Sequence, residues 1–183
     1  MKRRIAIIVG SDSDLSQCSP GLEYLKRAVE AGSIEVVDVI TASIHRNTDK
    51  VLDLCRRLSG LVDVVIVGAG WANHLTGTVD AYLRYTLKND QLVVVGVAFA
   101  DPDNTVHTEA AKLSISEVPG TWVVFNNYVG RYGFFEACMF AVSADLPVIK
   151  LKKPKLLKRR TLVKAIEVAY QAEQLEKQQK KGR

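Results

Sequence analysis

The chain has 183 residues, 48% of them apolar and 25% charged, which suits one compact domain burying roughly two-thirds of its unfolded surface. Its apolar runs are too short to span a bilayer, and Cys18, Cys55 and Cys138 are widely spaced with no C-x-x-C pair, so neither a disulfide framework nor a zinc ribbon is expected and a soluble, cytoplasmic protein fits best. The net charge of +5 is uneven: residues 150–183 carry 12 Lys and Arg against 3 acidic residues, and residues 1–149 carry 13 against 17.

Taken in chain order, the β-branched run Ile5–Val9 ends in the polar cluster "GSDSD" (10–14), as a buried parallel strand does where it delivers a loop to the sheet edge. Leu22, Leu25 and Val29 then share one helical face. A second strand over Glu35–Ile40 leads into "TASIHRNTD" (41–49), and Val51, Leu52, Cys55 and Leu58 form the next helical face. A third strand, Val64–Val67, leads into "GAGWANHLTG" (68–77); Leu92–Val97 and Trp122–Phe125 read as a fourth and a fifth. A helix is expected near Gly130–Ser143, and a long polar helix from about Leu156 to Gln179, fraying over Gln171–Gln179. The alternation predicts an α/β fold: a three-layer α/β/α sandwich around a flavodoxin-like parallel sheet of about five strands with right-handed crossovers. Residues 1–149 would form this domain and 150–183 a basic C-terminal helical extension. The cluster from Lys150 to Arg160 could touch nucleic acid, but without aromatic interleaving it reads as a solvated face, and no nucleic-acid partner is expected.

Parallel strands put their C-terminal ends on one edge, so the loops 10–14, 41–49 and 68–77 are expected to converge on one pocket. The first offers Ser11, Ser13 and Asp14, leading into a helix whose N-terminus would favour an anion; helix capping by Asp12, Ser13 or Asp14 is the alternative. Arg46, from another strand end, could clamp the same phosphate with forked hydrogen bonds. His45 and His74, two of the three histidines, fall on this rim and suit acid/base chemistry near neutral pH. His107 reads as a surface or helix-start residue. "GAGWAN" has Asn73 in place of the third glycine of a dinucleotide fingerprint and follows the third strand, so a nicotinamide site is rejected. Gly68 and Gly70 fit either a tight turn or the close approach of a planar ring. Asp12, Asp14, His45 and His74 lack metal-ligand spacing, and no metal is expected.

Taken together, "GSDSD", Ser43-x-His45-Arg46 and "GAG-x-A-x-HL-x-G" (Gly68 to Gly77) resemble, in order and spacing, the PurE family of carboxyaminoimidazole ribonucleotide mutases of purine biosynthesis. The resemblance runs from about Arg4 to the Val118-Pro119 turn, more weakly to about Ala144, and leaves the tail outside it. It implies that Ser13, Ser43 and Arg46 contact phosphate, that Asp14 contacts a ribose hydroxyl, and that Ala69, Gly70 and Leu75 surround the imidazole ring. Ser11 and His74 match positions near the migrating carboxylate, and His45 matches the catalytic imidazole that exchanges a proton at C4. It further implies a small-molecule ribonucleotide substrate, no metal, ATP or organic cofactor, and a homo-octamer with shared active sites, for which the aromatic "RYGFFEACMF" segment is an interface candidate. Arg46 and His74 match the mutases; the direct carboxylases carry Lys and a small polar residue there.

The chain departs from the family pattern at Trp71 (usually Gly), Asn73 (Ala), Thr76 and Thr48 (Pro), and in the segments 99–113 and 126–140. Two other readings follow: a diverged homologue acting on another phosphorylated ribonucleoside, and a non-enzymatic nucleotide-binding module. The second accounts poorly for both His45 and His74, since phosphate capture needs neither.

Overall fold

A computed structural model describes residues 2–181 of the chain. Its centre is a parallel sheet of β1 (Arg3–Val9), β2 (Ile34–Thr41), β3 (Val64–Ala69) and β4 (Val93–Ala98), in the order β2-β1-β3-β4. Ile5 to Val9, Val64 to Gly68 and all of β4 are buried, as strands covered on both faces must be. The edge strand β2 instead alternates, with Glu35, Val37, Val39 and Thr41 exposed.

Successive side chains of a strand point to opposite faces, and the core divides accordingly. Ile5, Ile7 and Val9 pack with Leu25 of α1 (Ser19–Glu30) and with Phe134, Ala137 and Cys138 of α5 (Gly130–Ser143). Ala6 and Ile8 pack on the other face with Val51, Leu54, Cys55 and Leu58 of α2 (Thr48–Leu58) and with Leu75 and Val79 of α3 (His74–Ala81). Ala98 meets Ala111 and Ile115 of α4 (Thr105–Ser116). On the predicted helical faces Leu25, Val51, Cys55 and Leu58 are buried and Leu22 and Leu52 half-buried, whereas Val29 is exposed.

The fifth strand expected over Trp122–Phe125 is a correction. Val124 makes only an isolated parallel bridge to Val95, with Gly96 N–H donating to the Val124 carbonyl and Val124 N–H to that of Val94, each at 2.9 Å. The next amide that would face β4 is engaged by a side chain: Trp122 N–H donates to Asp80 Oδ2 at 3.0 Å. A regular ladder cannot extend through amides already bonded elsewhere.

The Asp80 carboxylate belongs to a closed polar network. Arg84 Nε donates to Asp80 Oδ1 at 3.0 Å, and the other two guanidinium nitrogens donate to the carbonyls of Asn89 and Leu92 at 2.9 and 2.8 Å. Asp80 Oδ2 also accepts from Thr121 Oγ1 at 3.1 Å. Arg84 lies in a wide π-type turn, Tyr82–Thr86, that continues α3, and burial pulls its guanidinium pKa down.

The chain divides into two compact units, Met1–Lys152 and Lys153–Arg183. The second contains α6 (Leu162–Lys181), starting later than the expected Leu156. The like charges of Lys155, Lys158 and Arg159, three and four residues apart, disfavour earlier helix. No helix among the described residues is long and apolar enough to cross a membrane.

Candidate active site

The chain leaves β1 in one direction to form β2 and returns to the other side of β1 to form β3, so the strand order reverses between β1 and β3. A crevice opens at such a reversal, beyond the C-terminal ends of the strands. Gly10 N–H donates to the Gly68 carbonyl at 2.9 Å and joins the two strand ends just beneath it. The cleft here has a volume of about 370 Å³ and is lined from all three loops. Ser11, Ser13, Asp14, Ser43, His45, Arg46, Ala69, Gly70, His74 and Leu75 all line it, whereas Asp12, on the same first loop, does not.

The first loop is built differently from the expectation. Residues Asp12–Gln17 form a short 3-10 turn without a side-chain cap, and α1 starts only at Ser19. The capping alternative therefore fails for Asp12, Ser13 and Asp14, and a full helix N-terminus does not begin at Ser11–Ser13 either. The Ser11 and Ser13 hydroxyls are hydrogen-bonded to each other. Burial pushes the Asp14 carboxyl pKa up, opposed by hydrogen bonds from the Ser11 amide and hydroxyl. The nearby Asp14 charge, after burial, helps push the Cys18 thiol to about 12. Burial likewise raises Cys55 to about 11 and Cys138 further, so all three free cysteines are thiols of the core.

His45 and His74 face each other across the cleft, ring centroids 5.2 Å apart and planes inclined at 58°. Both are exposed, as is Arg46, and their side chains have no hydrogen-bond partner among the described residues. Side chains left without partners in this way are available to a ligand, the guanidinium to an anion and the imidazoles to proton transfer. Among the described residues no three His, Cys, Asp or Glu side chains gather as metal ligands.

Gly68 and Gly70, at the start of the third loop, differ in what packing requires of them. A Cβ on Gly68 would lie 2.8 Å from Phe99 Cε2, so core packing excludes it. A Cβ on Gly70 would meet nothing closer than Asp14 Oδ1 at 3.7 Å, so packing does not demand glycine there.

Beneath this loop, Asn73 is fully buried and caps α3. Its Oδ1 accepts from Thr76 N–H at 3.1 Å, and its Nδ2 donates to the Val97 carbonyl at 2.9 Å. The Thr76 hydroxyl lies 3.0 Å from both the Val67 carbonyl and Asn73 Oδ1. Two departures noted in the sequence thus form one unit: a proline at 76 has no N–H to cap, whereas Thr76 brings a buried N–H that Asn73 satisfies.

Trp71 also lines the cleft and has a left-handed backbone, φ 54°, which suits glycine. Its indole stacks on His107, centroids 4.1 Å apart and planes 21° from parallel. His107 occupies the first turn of α4, the helix-start position expected of it, with Nδ1 2.7 Å from Asp101 Oδ2 and Nε2 3.2 Å from Asn104 Nδ2. The hydrogen bond from His107 holds the Asp101 carboxyl below the usual carboxylate range. Nothing in the sequence places His107 beside Trp71, because only the fold brings the fourth strand end beside the third loop.

The chain is similar to proteins of known family. A family model described as AIR carboxylase matches residues 4–165, past the end of the motif resemblance and into the tail. The N5-carboxyaminoimidazole ribonucleotide mutase of Thermotoga maritima is 29% identical over 168 residues, covering 88% of this chain and 90% of that protein. The crystal structure of Treponema denticola PurE superposes with a TM-score of 0.54 at 17% identity, covering 77% of this chain and 87% of that one, a likeness of fold.

Proposed function

This chain belongs to the AIR carboxylase family, and from that premise we propose that it is an N5-carboxyaminoimidazole ribonucleotide mutase of purine biosynthesis, moving a carboxylate from the exocyclic nitrogen to C4 of the imidazole ring. The observation that carries the reading is the cleft at the strand-order reversal, where His45 and His74 face each other beside Arg46, Ser13 and Ser43. In this reading Ser13, Ser43 and Arg46 hold the phosphate and Asp14 a ribose hydroxyl. Ala69, Gly70 and Leu75 border the ring, and Ser11 and His74 position the carboxylate.

The carbamate C–N bond breaks, its electron pair stays on nitrogen, and carbon dioxide is released while the nitrogen takes a proton supplied by His45 as general acid. The enamine-like C4 attacks that carbon dioxide, and His45 takes the C4 proton to restore the aromatic ring, so the proton count is unchanged. Carbon dioxide must be held against C4 long enough for recapture, which needs proximity and exclusion of water. His74 suits a carboxylate that arrives already attached to the substrate. The reaction as written draws on no metal, ATP or organic cofactor.

We assign the reaction to residues 1–149 and treat 150–183 as an extension. The proposal includes a homo-octamer, for which exposed Tyr128, Tyr132 and Met139 are interface candidates, and a cytoplasmic location. The test is steady-state kinetics with the carbamate and, separately, with aminoimidazole ribonucleotide plus bicarbonate. Higher kcat/KM on the carbamate, without added ATP or metal, is expected. Preference for the second pair would make the protein a direct carboxylase, and turnover of neither would overturn the reading.

A further inference from the structure

The outer part of the cleft carries a feature that phosphate capture and proton transfer leave without a role. Trp71 is 65% exposed, lines the cleft and stands at a left-handed backbone position that glycine would fill without strain. Large apolar side chains rarely adopt that conformation, and where they do, the strain commonly marks a functional position. The ring is also held: it stacks on His107, whose two ring nitrogens are engaged by Asp101 and Asn104. The support is itself tied down, since Asp101 N–H donates to Thr108 Oγ1 at 2.8 Å and Asp103 N–H to Asp101 Oδ1 at 3.0 Å. A fixed indole that keeps most of its surface free is a preformed stacking platform.

We propose that Trp71 is a specificity-determining wall of the cleft against which the planar ring of the ligand stacks, and that His107 and Asp101 are positioning residues that hold the indole for it. The inference rests on the mutase reading, which puts the ring beside Ala69 and Gly70, immediately before Trp71. Phosphate and ribose would be held by Ser13, Asp14, Ser43 and Arg46, on other loops. Trp71 therefore acts on ring-bearing ligands and leaves ring-less ones alone.

Calorimetric titration of the full chain with 5-aminoimidazole ribonucleotide and with ribose 5-phosphate separates these contributions. Trp71→Gly relieves the backbone strain and should fold at least as well as the parent. It should lose about ten-fold in affinity for the ribonucleotide, with ribose 5-phosphate changed by less than about two-fold, because one base–aromatic stack is removed. Trp71→Phe should keep most of the affinity. His107→Ala should weaken the ribonucleotide in the same direction, whereas His107→Phe, which preserves an aromatic partner for the indole, should not; a purely structural role for His107 would affect both variants and both ligands alike. Equal losses on the two ligands, no loss on either, or tighter ribonucleotide binding by Trp71→Gly would each overturn the inference while leaving the mutase reading intact. Failure of the parent protein to bind either ligand would instead overturn the mutase reading, and the inference with it.

Discussion

The cleft rim and the network beneath α3 use similar side chains to opposite ends. On the rim, His45, Arg46 and His74 are exposed and have no side-chain hydrogen bonds among the described residues. A few residues further along, Asp80 and Arg84 are each 2% exposed, and every guanidinium nitrogen and carboxylate oxygen of the pair has a partner. A charge in water costs little to keep and remains available to a ligand. A charge in the core is tolerable only when its hydrogen-bonding capacity is used up, which leaves none for chemistry. The rim should therefore tolerate substitution with loss of function, and the network should not tolerate it without loss of the fold.

The largest effect is expected at Asp80. Asp80→Ala leaves Arg84 as an uncompensated buried cation and strips two acceptor contacts from Thr121 and Trp122, at a cost of about 3–5 kcal/mol. Urea unfolding followed by far-UV circular dichroism measures it. A loss below about 1 kcal/mol would mean that water reaches Arg84 readily, and the contrast between the two regions would break.

His45→Asn tests the other side. Turnover of the carbamate should fall by on the order of a hundred-fold, equivalent to about 2.7 kcal/mol of barrier, as for the loss of a positioned acid/base. The urea midpoint should stay where it is, because the exposed imidazole has no side-chain hydrogen bond to lose among the described residues. Turnover close to that of the parent would remove His45 from the mechanism, and a large shift in stability would show that the rim shares the structural duty assigned to the core.

Residue chemistry explains why some of this was legible in the sequence and some was not. Three of the strands were visible because buried parallel strands are uninterrupted β-branched runs, the edge strand β2 because it alternates around Val36 and Ile40, and the three loops because glycine and polar clusters stop those runs. Parallel topology alone then brings the loops to one edge. The segment Trp122–Phe125 has the composition of a strand, but its pairing depends on Asp80, some forty positions earlier. Asp80 and Arg84 stand four apart, the spacing of an ordinary exposed helical ion pair, and nothing local distinguishes the buried kind. Asn73 and Thr76 were seen as separate departures because their coupling is a hydrogen bond. The pairing of Trp71 with His107 required knowing which strand ends are neighbours.

The smallest predicted effect refines the comparison at Asp14, a rim residue that is partly buried. Burial raises its pKa from the ordinary 3.8, outweighing the hydrogen bonds from Ser11. When the folded-state pKa exceeds the unfolded one, the unfolded chain releases the proton first, so stability falls as pH rises from about 3.8 through the folded-state value and stays lower above it. At neutral pH the folded protein thus carries the desolvation cost of an ionised Asp14, a cost that a ligand hydroxyl donating to the carboxylate would repay. Asp14→Asn removes the charge while keeping the shape. At pH 7 it should raise the thermal midpoint by about 1–2 °C, with the gain narrowing as the pH is lowered toward 4. Affinity for ribose 5-phosphate should fall in the same variant, because the amide is a weaker acceptor than the carboxylate. A lowered midpoint at pH 7 would mean that the Ser11 hydrogen bonds outweigh burial, which would make Asp14 a structural residue of the loop instead of one kept at the expense of stability for its ligand.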